Sequence, residues 1–188
     1  MRRYMRRGSS LILCTVFAAT LFLSLPGPAK PESVGQLDKN ARLALKKLYA
    51  KEPKAKELHE KAKAVLVFPA ITKGGFIVGG QYGEGVLFRD GKPSGYYNTV
   101  AVSYGLQAGI QKYGYALFFM DDKALQYLEK SDGWELGTAP NIVVVDKGIS
   151  RGLSTTSLQS NLYAFFFNEM GLMAGLGLQG AKITKIKK

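Results

Sequence analysis

Four basic side chains, Lys39, Arg42, Lys46 and Lys47, recur at spacings of three, four and one residues in a stretch rich in Lys, Ala, Leu and Glu. At about 100° per residue they fall, with Lys51, on one side of a helix whose other side carries Leu37, Ala41, Ala44, Leu45 and Leu48. The chemistry open to such a helix is electrostatic. Its cations can face anionic lipid headgroups while its leucines face the acyl boundary or the protein. The same pattern fits a surface helix whose leucines pack on a sheet and whose cations are solvated. Its apolar stripe holds only Leu, Ala and Tyr49, without the Trp or Phe common in interfacial helices.

Side chains suited to covalent or acid–base chemistry are sparse. His59 is the only histidine, and its Lys-rich setting from Glu57 to Lys63 reads as a solvated helix position. A His-based triad would also need a nucleophile and an acid that the sequence does not place. GGQYGEG at 79–85 lacks the G-x-G-x-x-G order and lies between strand-like runs, and Pro93 follows Gly91-Lys92 where a phosphate loop needs Ser or Thr. Asp90, Asp121 and Asp132 suit turns and caps, which leaves Glu84, Glu135, Asp146 and Glu169. No spacing selects a catalytic pair among these four, and Glu84 suits a buried partner for a lysine such as Lys73. The expectation is a protein that is not an enzyme, with no cofactor and no metal ligand set.

The chain opens with Arg2, Arg3, Arg6 and Arg7 and no acid, then runs uncharged from Leu11 to Leu25. These are the first two regions of a secretory signal, and Gly27 and Ala29 fit the small-residue rule for cleavage after Ala29. A retained anchor is the rival, but the run is shorter than the ~20 apolar residues of a spanning helix. The expected division is a signal peptide at 1–29 and one domain at 30–188. Cys14, the sole cysteine, goes with the signal, leaving neither disulfide nor thiolate site. Four of the 26 basic residues leave too, so 22 face 14 acids and the domain carries +8.

The helix ends before Pro53, and a second short one, about Ala55 to Ala64, leads into the body. Beyond it the period changes to short runs rich in Val, Ile, Phe and Tyr, punctuated by Gly, which read as antiparallel strands. Asp90-Gly91 marks a hairpin. Asp122 to Lys130 reads as a short helix capped by Asp121 or Asp122 and stopped by Asp132-Gly133, with strands resuming at Asn141, Leu162 and toward Ile186. GLQAG at 105–109 recurs as GLMAG at 171–175, and strand glycines of this kind suit bulges or close backbone approach. The expected fold class is α+β: a strongly twisted or barrel-like antiparallel sheet with a basic amphipathic N-terminal helix and a short crossover helix.

The strings VFPAITKGGFIVGGQYGEG and YAFFFNEMGLMAGLGLQG, within an ordered match from about Ala41 onward, resemble the SYLF-domain lipid-binding family and its exported bacterial branch. The resemblance implies a single domain that binds membrane lipids through its basic N-terminal helix, here Lys39, Arg42, Lys46 and Lys47. Eukaryotic members bind phosphoinositides, and some bind actin. An export signal points instead to an anionic phospholipid surface in the periplasm or cell envelope. The alternative function is an envelope adaptor or structural component with a protein partner. Nucleic acid is not an expected partner, since the aromatics of YALFFM and YAFFFN suit a core.

Overall fold

The computed structural model describes residues 32–75, 78–104, 109–130, 134–135, 142–145, 160–167 and 180–188. The signal segment and its cleavage site, the paired GLQAG and GLMAG strings, Asp132, Asp146 and Glu169 lie outside these residues, as does the side chain of Glu135.

Among the described residues two helices come first, α1 (Val34–Lys51) and α2 (Pro53–Lys61). Ser33 caps α1 by accepting from the Gln36 amide at 3.4 Å, and Lys51 in the last turn suits the negative end of the helix dipole. Glu52 closes α1 through a bond from its amide to the Leu48 carbonyl. Pro53 then opens α2 at a first-turn position where a missing amide hydrogen costs nothing.

The described residues contain eight strands in one sheet: β1 (Ala64–Gly75), β2 (Val78–Arg89), β3 (Lys92–Tyr104), β4 (Gly109–Phe119), β5 (Trp134–Glu135), β6 (Ile142–Val145), β7 (Leu162–Phe167) and β8 (Lys182–Ile186). The spatial order is β5-β8-β3-β2-β1-β4-β7-β6. Every pairing is antiparallel except β6 with β7. The fold is thus the expected α+β class with a mainly antiparallel sheet, but the sheet is open and ends at β5 and β6 rather than closing as a barrel. Helix α3 (Asp122–Lys130) lies in the connection from β4, near the middle, to β5 at the far edge, the expected crossover. Asp121 caps it, accepting from the Ala124 amide at 2.7 Å.

Period-two alternation sends side chains to two separate cores. Leu66, Phe68, Leu87, Tyr97, Tyr115, Leu117 and Phe119 meet Leu125 and Leu128 of α3 on one face. Val65, Val67, Val86, Phe88, Ala116, Phe118, Tyr163 and Phe165 meet α1 and α2 on the other. The basic helix therefore lies over a face of the sheet, on β1 and β2, and not at an edge or end.

The register of β1 shifts against both neighbours around Phe68-Pro69. A proline has no amide hydrogen for a ladder, so a buried one in a central strand belongs at a bulge. Glycines make room for it on both sides. A β-carbon on Gly85 of β2 would stand 2.7 Å from the Val67 carbonyl oxygen, and one on Gly114 of β4 would stand 2.7 Å from that of Phe68. Gly83 and Gly85 of GGQYGEG are thus explained by close packing on β1. The β2–β3 turn carries the positive φ angles its Asp-Gly pair predicts, 47° at Asp90 and 71° at Gly91.

Candidate membrane-binding surface

The apolar stripe of α1 is committed to the protein. Leu37, Ala41, Ala44, Leu45 and Leu48 are all buried against the sheet. At roughly 1.5–3 kcal/mol for each fully buried leucine, as an upper estimate, this packing is what holds the helix in place. The stripe is therefore not free to enter a bilayer.

The opposite side is open. Lys39, Arg42, Lys46 and Lys47 are all exposed, and none forms an ion pair with a described carboxylate. The four are not equivalent. Arg42 donates from Nη1 to the Gly91 carbonyl at 3.1 Å, and its guanidinium carbon lies 4.9 Å from the centre of the Phe88 ring. It fastens α1 to the β2–β3 turn, and its planar cation over an aromatic face is a favourable contact. Lys39, Lys46 and Lys47 have no such duty among the described residues.

Leu43 is a member of this surface that the helical pattern overlooked. It is 46% exposed, and it lies four residues from Lys39 and Lys47 and three from Lys46, so the three lysines surround it on the helix face. The signal was present in the sequence: at 3.6 residues per turn Leu43 falls on the cationic side and not with the buried leucines.

The other candidates resolve individually. Glu84 does not pair with Lys73; it pairs with Lys188 at 2.5 Å and accepts from the Tyr82 hydroxyl at 2.9 Å. Burial and the Glu84 charge push the Tyr82 hydroxyl up to about 12. His59 is half-buried rather than solvated, its ring 5.2 Å from that of Tyr49, and its Nδ1 is buried without a hydrogen-bond partner. Among the described residues no cluster of three or more His, Cys, Asp or Glu is placed to hold a metal ion. No described helix is long and apolar enough to cross a membrane.

No curated protein matches the chain. Residues 100–188, from within β3 through β8, match the Ysc84 family model, described as Las17-binding protein actin regulator. The match leaves α1 outside, so the role of its lysines rests on geometry and not on the comparison. The Ysc84 (SYLF) family is lipid-binding and associated with actin regulators, which is compatible with lipid binding here. Over its residues 100–188 the chain is thus similar to the Ysc84, or SYLF-domain, family.

Proposed function

We propose that this chain is a non-enzymatic lipid-binding protein of the bacterial cell envelope, exported by its N-terminal signal, that meets anionic phospholipid surfaces through the outer face of α1. The observation that carries this reading is the placement of Lys39, Lys46 and Lys47 around the exposed Leu43 on a helix whose other face is locked to the sheet. A fixed helix presents its cations without further ordering, and each lysine near an anionic surface contributes about 1 kcal/mol, weakening as salt shortens the Debye length. Leu43 adds one apolar contact at the boundary. Arg42 takes part from the flank while it holds the turn.

Co-sedimentation with vesicles of 30:70 phosphatidylglycerol and phosphatidylethanolamine, against pure phosphatidylcholine, tests the reading. The parent binds the anionic vesicles at low salt and releases them as salt rises. The combined Lys39→Gln, Lys46→Gln and Lys47→Gln variant loses most of that binding with its thermal transition within about 0.5 kcal/mol of the parent, as exposed substitutions normally are. Equal binding by parent and variant at low salt removes α1 as the lipid site. A parent that ignores all vesicles leaves a protein adaptor as the better reading.

A further inference from the structure

The helices cover only part of their face of the sheet. Their footprint ends at Tyr96, whose hydroxyl donates to Asp38 of α1, and at Glu84, whose partner Lys188 also donates to the Glu32 carbonyl at the start of the helix. Beyond that boundary the same face continues without cover among the described residues. Register places Lys182, Val100, Tyr82, Thr72 and Lys112 in one row across β8, β3, β2, β1 and β4. The next row is Val102, Gly80, Gly74 and Ile110. Paired positions share a face, so these side chains project together on the α1 side of the sheet.

Four large apolar side chains stand in the open here: Val100 at 43%, Tyr82 at 46%, Val102 at 61% and Ile110 at 67% exposed. Single exposed apolar residues need no explanation, whereas four on two adjacent rows form a patch, and patches mark interaction surfaces. Gly74 and Gly80 keep the centre of the second row flat. The patch is flanked by exposed cations, Lys112 at one side and Lys182 at the other. Among the described residues on this face, the Glu84 carboxylate beside the patch is held by Lys188.

We infer that this uncovered end of the sheet is a second membrane-contacting surface, laid against the same anionic bilayer as the outer face of α1. The inference rests on the lipid-binding reading of α1 and adds an apolar anchor to it. Charge selects the occupant. A second copy of the chain would bring Lys112 and Lys182 toward their own counterparts and a domain of +8 toward another of +8, whereas an anionic bilayer complements both lysines. Aliphatic side chains and a tyrosine flanked by two lysines fit the headgroup boundary, where the apolar groups reach the upper acyl region and lysine heads remain in water. α1 stands on the same side of the sheet as this patch, so a bilayer approaching from that side meets both.

Full-length chain in a Cys14→Ser background, carrying Val102→Cys or Leu43→Cys labelled with an environment-sensitive nitrobenzoxadiazole dye, reads both surfaces separately. With phosphatidylglycerol-containing vesicles the dye at 102 shifts to the blue and brightens several-fold, and with phosphatidylcholine it does not. The Val102→Thr, Ile110→Thr pair, which preserves strand propensity, weakens binding about tenfold. Tyr127→Thr on the opposite side leaves binding unchanged. A shift at 43 without one at 102 overturns the inference and leaves the α1 reading intact. No shift at either position overturns both. A shift at 102 that follows protein concentration in the absence of vesicles assigns the patch to self-association and overturns the inference.

Discussion

The Lys188 ammonium meets the Glu84 carboxylate at 2.5 Å across 104 residues of sequence, with both side chains about nine-tenths buried. This contact ties the strand-end segment after β8 to the centre of the sheet and, through the Glu32 carbonyl, to the start of α1. Removing the lysine strands a desolvated carboxylate. We expect Lys188→Met to lower stability by about 1–3 kcal/mol in urea denaturation, and Lys188→Met with Glu84→Gln to recover part of the loss. Equal stability of all three proteins would show that the pair is a surface contact of no consequence.

Arg42 and the α1 lysines should separate in their effects. Arg42→Gln loses the bond to the Gly91 carbonyl and the stacking on Phe88, so its melting temperature falls along with its vesicle binding. Lys46→Gln changes binding alone. Leu48→Ala, which opens a hole under the helix, costs about 2–5 kcal/mol. An Arg42 variant as stable as the parent would mean that the turn holds without it.

The helix face, the Asp90-Gly91 turn and the Asp121 cap were all legible because each depends on residues within a few positions of one another. The stripe Leu37, Ala41, Ala44, Leu45 and Leu48 is buried as its period predicts, and β1 to β4 follow their apolar runs. What local pattern does not contain is which strand lies beside which. β4 joins β1 rather than β3, β8 joins β3 from over 80 residues away, and β6 runs parallel to β7. The partner of Glu84 was misread for the same reason: Lys188 is its neighbour only once β8 is placed. The uncovered patch was hidden too, because Val100, Val102 and Ile110 read as ordinary strand residues until the footprint of α1 is known.

The bulge at Pro69 should be intolerant of side chains beside it. Gly85→Ala and Gly114→Ala each press a methyl group into carbonyl oxygens of β1, and the strands cannot separate without losing ladder bonds. Losses of about 1–3 kcal/mol are expected, against almost none for a matched Gly35→Ala on the open side of α1, where nothing lies within 4 Å. Gly85→Ala or Gly114→Ala at full stability would refute the close-approach account.

Alkali should weaken the fold through its buried phenols. Tyr97 is pushed up to about 12, first by burial and then by the Glu129 charge, and burial raises the fully enclosed Tyr115 as well. An unfolded tyrosine ionises near pH 10. Above that pH the folded chain therefore holds protons that the unfolded chain has released, and stability falls as pH rises, for Tyr97 over the window from about 10 to about 12. Absorbance at 295 nm during titration should show these phenols ionising late or with unfolding. Tyr97→Phe, which removes a buried hydroxyl without a hydrogen-bond partner, should flatten the slope.

An open sheet also has borders, and here they resist polymerisation. Among the described residues one border strand, β5, is two residues long and the other, β6, is four, so these strands offer an incoming chain few amides and carbonyls to copy. β5 leaves Thr184, Lys185 and Ile186 of β8 without a described neighbour on that side, and the exposed Lys182, Lys185 and Lys187 put repelling charge along this stretch. Part of the basic excess thus guards the molecule against fibre-like stacking with its own copies, a task separate from any attraction to lipid.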